Sequence, residues 1–471
     1  MANDHAGAVV IEKAVPNQRE SRRLAGKALR KDCPRSSHAE VFLGQGERDP
    51  LALIEQSNVG RVPKLLPIRF TRRSESAFAF FRGTAIVQAH DLKGTPASGI
   101  RVQCCGDCHL MNFGGFATPE RALVFDINDF DETHPGPFEW DIKRLAVSFV
   151  LAARWLGFSA GESRQSVHSL VAAYRSAQSH FAEMSVLDTW YAKVALEEML
   201  ADAAIDPKIM KRLQKSIEKA RENTSEHVFH KITHEENGQP RIVDDPPLLY
   251  HPAPHEFNIE RDVAPFLKAY RSTLARERQI LFDRYRLVDG ACKVVGVGSV
   301  GTRCYILLFA GNQDDHLFLQ VKEARPSVLE GLAGPSPYAN NGERVVIGQR
   351  LMQSASDIFL GWSHAANGDA YVRQMRDMKI APNLAGYTPR LLASYADLCG
   401  KTLARAHAKS GDAATIAGYV GSSSAFDEAI ADYALGYADQ VDKDFGSFKA
   451  AIKSGRFPVE TMPSEVEEAV R

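Results

Sequence analysis

Residues 293–323 read KVVGVGSVGTRCYILLFAGNQDDHLFLQVKE, and no other stretch restricts the fold as much. Three β-prone runs are punctuated by glycines, which predicts a small antiparallel sheet over about 288–378. Gly296, Gly298 and Gly301 spell G-x-G-x-x-G. In a doubly wound α/β fold those glycines must open a helix. Here TRCYILLF follows, which is a strand, so that fold is excluded. What remains is strand, glycine loop, strand, a geometry in which backbone N–H groups approach an anion closely.

Lys322 lies in the third run, about 20 residues past the last glycine. A lysine on an apolar strand needs an anionic partner. In kinase-type sites that partner is the nucleotide phosphates together with a helix glutamate. Glu343, opening the helical run GERVVIGQRLMQSASD, is the candidate; Glu330 competes, and Glu323 alternates to the other strand face. Gly296, Gly298, Ser299, Gly301, Lys322 and Glu343 therefore form the expected nucleotide-binding set.

Two stretches far upstream carry the other half of such chemistry. Residues 104–114 read CCGDCHLMNFG and 126–132 read DINDFDE. Phosphoryl transfer needs a carboxylate for the acceptor hydroxyl and hard oxygen ligands for Mg²⁺. Asp107 and Asn112 have catalytic-loop spacing, Asp as base and Asn as metal ligand. Asp129, on a turn after the strand ALVFDI, supplies the second ligand; Asp126 and Asp131 are alternates, Glu132 a weaker one. Turn formation and helix capping also account for Asp131 and Glu132. His109 is expected to hold the loop through a carbonyl or an acid. Cys105 and Cys108 lack the second pair that a zinc site requires.

The chain has 471 residues and a formal net charge of −1, which gives no global case for nucleic acid or an anionic membrane surface. Seven scattered cysteines argue against a disulfide framework. The run LAVSFVLAARWLGF (145–158) is too short to cross a bilayer, and the polar start MANDHAGAVVIEKAVPNQRE lacks the apolar segment of a secretory signal. A cytoplasmic protein is expected. Arg69, Arg72, Arg73 and Arg82 are read either as anion-binding or as a solvated basic face.

GDCHLMNFG, VFDINDFDE and GPFEWDIKRLA together resemble the catalytic segment of aminoglycoside phosphotransferases and choline-kinase-like enzymes. That resemblance implies Asp107 as base, Asn112 and Asp129 as metal ligands and Asp141 as a structural acid on the closing helix. From about 60 to 450 the chain also resembles an uncharacterised bacterial family, domain of unknown function 2252. FAFFRG, GDCHLMNFG, NDFDE, GVGSVGTRCY, LQVKEA, ERVVIGQRLMQ, LGW and LARAHA carry this likeness, and TRRSESAFAF fits it less well. It brings no substrate.

Kinases run glycine loop, lysine, glutamate, catalytic loop, metal Asp; here the last two come first. The expectation is an α+β, protein-kinase-like, two-lobed fold, circularly permuted, with a helical large lobe and a small antiparallel-sheet lobe. An unpermuted assignment would use Asp412 as base, but no Asn follows within five residues. The expected organisation is a polar arm (1–40), an extension (41–84), the catalytic-loop part of the large lobe (85–235) and a linker or surface excursion (236–287) that opens with the Pro-rich stretch 236–262. The small lobe (288–378), the helical remainder (379–455) and a tail (456–471) follow. The function expected is ATP- and Mg²⁺-dependent phosphoryl transfer to a hydroxyl of a small molecule or protein. Nucleotidyl transfer, or nucleotide binding without catalysis, is the alternative.

Overall fold

The computed structural model describes residues 18–43, 48–196, 207–222, 225–253, 259–294, 296, 298–312, 315–365, 368–375 and 378–460. It has a mixed α+β fold: a helical part, and a sheet with its own flanking helices. Among these residues no helix is long and apolar enough to cross a membrane.

The helix Phe138–Trp155 is the axis of the helical part, buried from Phe138 through Ala153. A helix apolar on nearly all sides must be surrounded. Its neighbours are the helices Ala160–Phe181, Pro389–Ser410 and Ala425–Lys453. The first is closed by a capping box, Ser159 with Glu162. Asp412 N-caps the helix Ala413–Val420 through Ala414 and Thr415 N–H, a structural use of that acid.

Four short strands form two hairpin-like pairs that present loops. β1 (Arg101–Cys104) pairs antiparallel with β4 (His134–Pro137), and β2 (Phe113–Ala117) with β3 (Leu123–Ile127). Pairing the outer and the inner strands forces the 105–112 and 128–133 loops to face one another.

The sheet has six antiparallel strands in the order β11-β12-β10-β9-β8-β7. Its strands are β7 (Leu249–Tyr250), β8 (Arg286–Lys293), β9 (Cys304–Ala310), β10 (His316–Glu323), β11 (Gly361–Ala365) and β12 (Gly368–Gln374). A further pair, β5 (Thr233–Glu236) with β6 (Gln239–Ile242), stands beside it. Both faces of the sheet are covered. Leu307, Phe309, Leu319 and Val321 join one core with Phe266 and Tyr270, while Ile306, Leu308 and Phe318 join another with Ile242 and Leu249. This is why YILLFA reads as an unbroken apolar run. The region 236–287, expected as a linker, thus supplies a sheet strand and core helices, because the sheet's two faces both need cover.

The expected loose N-terminal arm is docked from residue 18 onward. Arg30 donates to the Gly418 and Tyr419 carbonyls, and His38 Nε2 lies 2.7 Å from Tyr419 Oη. Gly26 and Gly418 let the helix Gln18–Ala28 cross Ala413–Val420 with backbones in contact. The arm's first 17 residues and the tail beyond 460 lie outside the described residues.

Candidate functional site

The 105–112 loop is held from below by Asp141 on the closing helix. Its carboxylate accepts from Cys105 N–H (2.7 Å) and Gly106 N–H (3.0 Å), with His407 Nε2 at 3.2 Å. Gly106 has φ +88°, and a Cβ there would run into the Glu132 carbonyl, so the facing loop requires glycine. Asn112 Nδ2 donates to the Asp107 carbonyl at 2.8 Å, which leaves Oδ1 for another partner. Asn128 N–H binds the Asn112 carbonyl at 2.7 Å, tying the start of the second loop to the end of the first.

Asp107 sits at the rim of a cleft between the helical part and the sheet. Its Oδ1 takes both Nε (2.6 Å) and Nη2 (2.5 Å) of Arg144. Its Oδ2 points toward the glycine loop, 4.0 Å from where a Gly298 Cβ would stand. Burial raises the Asp107 pKa, against the pull of Arg144. His109 does not hold the loop by the expected bond: its Nε2 is 3.9 Å from Asp107 Oδ2 and its Nδ1 has no partner. Burial, with Arg82 and Arg144 nearby, keeps it neutral.

The glycine loop joins β8 to β9 and hangs over these acids. Gly296 and Gly301 have φ of +68° and +88°, backbone states that favour glycine. Ser299 Oγ lies 3.2 Å from Asp131 Oδ2. Lys322, buried on β10, places Nζ 2.8 Å from the same oxygen, and Tyr371 Oη donates to Asp131 Oδ1 at 2.6 Å. Burial opposes ionisation of Asp131, but Lys322 and Tyr371 outweigh it and bring its carboxyl down to about 2. Asp129 has the opposite setting. Burial and the Asp131 charge raise its pKa, and it makes no ion pair among the described residues.

Asp107, Asn112, Asp129, Asp131, Glu132, Gly296, Gly298 and Ser299 thus line one cleft, with free space of about 1030 Å³ including solvent at its mouth. The chain brings together residues about 190 positions apart. Lys322 and Gly301 stand just behind the lining, against Asp131 and Arg61. Asp126 and Glu343 stand elsewhere. Asp126 is fully buried, bound by Arg405 Nη2 (2.5 Å) and by Ser354 N–H and Oγ (both 2.7 Å). Glu343 is half-buried in the first turn of the helix Asn341–Met352, and Lys322 is paired with Asp131 instead. The residue that this helix sends to the acidic loop is Arg344, which donates to the carbonyls of Asp131 (2.8 Å), Thr133 (2.5 Å) and Arg325 (2.7 Å). Glu330 accepts from Ser336 N–H.

Arg144 and Tyr371 escaped the sequence reading, because a helical arginine and a strand tyrosine look like packing residues. The signal available for Arg144 was its position, three residues past Asp141 on the same helix. The arginines of the extension are not a solvated face: Arg69, Arg72 and Arg73 are buried. Arg69 donates to the Gly298 and Val300 carbonyls and Arg72 to that of Gly296, so the helix Leu66–Ser74 fastens the glycine loop. All seven cysteines are free thiols; the hydrogen bond with Cys108 lowers the pKa of Cys105, but burial and the nearby Asp141, Asp107 and Asp129 outweigh it and bring it to about 11. Among the described residues no three His, Cys, Asp or Glu side chains group as a metal site. Asn112 Oδ1 and the Asp129 carboxylate are two hard oxygens of the kind Mg²⁺ takes when phosphates complete its shell.

A search of curated proteins gives no match, and none is found among solved structures. Residues 61–451 match the family described as uncharacterized protein conserved in bacteria (DUF2252). That span includes both acidic loops, the glycine loop and Lys322, and the chain belongs to this bacterial family, DUF2252.

Proposed function

We propose that this chain is an ATP- and Mg²⁺-dependent phosphotransferase with a two-lobed, protein-kinase-like architecture whose parts run in circularly permuted order. One observation carries the reading. A glycine loop between antiparallel strands lines a single cleft with Asp107, Asn112 and Asp129, and a buried lysine two strands on is bonded to Asp131 in its wall. Local geometry alone does not require residues so distant in sequence to share a wall.

Bound Mg²⁺·ATP supplies the phosphoryl group and neutralises its developing charge. Asp107 Oδ2 orients an acceptor hydroxyl and receives its proton. Arg144 fixes the other oxygen, and burial makes the carboxylate a better base. Asn112 Oδ1 and Asp129 hold the metal. Lys322 and the N–H groups of the glycine loop hold the phosphates, and the loop excludes water. The Arg144–Asp107 pair favours one alternative, a nucleotide-binding protein without catalysis, in which that carboxylate is spent on structure.

Thermal denaturation with and without ATP·Mg²⁺, followed by an ATP-turnover assay, tests the reading. Saturation at 100 times Kd should stabilise the fold by about 2.7 kcal/mol. Wild type should turn ATP over, and Asp107→Ala should bind but not turn over. Absence of nucleotide-induced stabilisation overturns the proposal; binding without turnover selects the alternative.

A further inference from the structure

Four arginines line the same cleft as the acids: Arg61, Arg69, Arg82 and Arg325. Among the described residues no carboxylate forms an ion pair with them, although Asp107, Asp131, Glu132 and Glu323 are near enough to offset part of their charge. Asp107 is taken by Arg144, Asp131 by Lys322 and Glu323 by Arg303, and Glu132 accepts from Val328 N–H. Asp129 makes no ion pair among the described residues. The arginines instead lean on backbone. Arg61 donates to the Ser57 and Val300 carbonyls, and Arg325 to those of Ser57 and Val59. Arg69 is 2 % exposed, and its Nε has no partner. Arg82 makes no hydrogen bond among the described residues; its Nε is buried without a partner and its guanidinium lies 5.4 Å from the Phe78 ring.

Arg69 is buried and the other three are half-buried, and cations withdrawn from water without an ion pair carry a cost that an entering anion offsets. Burial, and then Arg325, push Arg61 down to about 10, and Arg69 is depressed by burial and by Arg73, Arg61 and Arg325. Two of these arginines, Arg61 and Arg69, hold carbonyls of the glycine loop, so the cluster lies on the side of that loop facing the extension. Lys322 stands at the sheet side, engaged with Asp131. The arginines are thus the unpaired cations of the lining, and Asp107 is near them: the Gly298 Cβ position is 3.6 Å from the Arg82 carbonyl and 4.0 Å from Asp107 Oδ2.

We propose that Arg61, Arg69, Arg82 and Arg325 bind an anionic group of the acceptor, a phosphate or carboxylate, and so hold its hydroxyl at Asp107. The inference rests on the phosphotransferase reading for the word acceptor, but not for the anion site itself. A phosphate-sized dianion with three or more oxygens suits arginines approaching from several directions.

Inorganic phosphate is the probe, measured by thermal shift and calorimetry on the full chain, alone and with saturating ADP·Mg²⁺. Wild type should bind phosphate in both conditions. Arg82→Gln, which removes no hydrogen bond of the fold, should weaken phosphate binding at least tenfold and leave ADP·Mg²⁺ binding within twofold. Arg82→Lys should recover part of the phosphate affinity. Phosphate displaced by ADP·Mg²⁺ would assign the arginines to the nucleotide and overturn the proposal, as would equal phosphate binding by wild type and Arg82→Gln. Phosphate binding without any ADP·Mg²⁺ binding would leave the anion site standing and remove the kinase reading instead.

Discussion

Asp126 and Asp129 stand three positions apart in one acidic stretch, and their surroundings make opposite predictions. Asp126 is buried with Arg405, whose Nε and Nη1 already lack partners. Removing its charge strands a buried guanidinium, so Asp126→Asn should cost about 3–5 kcal/mol. Asp129 makes no ion pair among the described residues and is repelled by Asp131. Asp129→Asn should leave stability within about 1 kcal/mol of wild type while abolishing Mg²⁺-dependent nucleotide binding. Urea denaturation and nucleotide titration of both variants check the contrast. A stable Asp126→Asn, or Asp129→Asn with unchanged Mg²⁺ dependence, would break it. Both residues carry the same side chain in one short acidic stretch, so composition and spacing named them together. Ser354 and Arg405, about 230 and 280 residues downstream, tell them apart by closing on Asp126.

Among the elements, the glycine loop shows how legibility depends on range. Its glycines, the strands beside it and Lys322 were readable because strand period and turn chemistry are local. The partner of Lys322 was not: Glu343 is the expected acid, with Glu330 competing, and Asp131 comes from a loop 191 positions upstream that no local pattern brings to the sheet. Gly301 has φ +88° and a Cβ position 3.2 Å from Arg61 Cβ, so Gly301→Ala should destabilise by about 1–2 kcal/mol. Gly298 carries no such demand. A Cβ there meets the Arg82 carbonyl at 3.6 Å and Asp107 Oδ2 at 4.0 Å, which are ordinary contacts. Gly298→Ala should keep the melting temperature yet weaken ADP·Mg²⁺ binding, because its methyl fills the space between loop and base. Equal melting temperatures for both variants would show that the loop is not held in the backbone conformation that Gly301 supplies.

At the scale of the whole molecule, the docked N-terminal segment ties chain start to chain end, and one of its residues makes stability depend on pH. His38 is buried against Tyr419 and Phe426 from the last helices. Burial, with the Lys143 charge, lowers its pKa to about 3. Glu139 lies 3.9 Å away but does not hold the imidazole protonated, because burial raises the pKa of that carboxyl too. An unfolded histidine takes up its proton near pH 6.5, and folded His38 does not until about pH 3. Between those values the unfolded state binds one more proton, so stability falls as pH falls, at a limiting slope of about 1.4 kcal/mol per pH unit for this group. His109, also depressed by burial, adds to the slope with the same sign. Carboxylates with raised pKa, such as Asp107, act in the opposite sense at lower pH, and comparison of two chains cancels them. Unfolding free energies from urea denaturation between pH 7 and pH 5 should therefore fall more steeply for wild type than for His38→Gln, by up to about 1.4 kcal/mol per unit. Parallel profiles would mean that folded His38 takes up its proton at the same pH as an unfolded histidine, so that burial against Tyr419 and Phe426 does not keep it neutral.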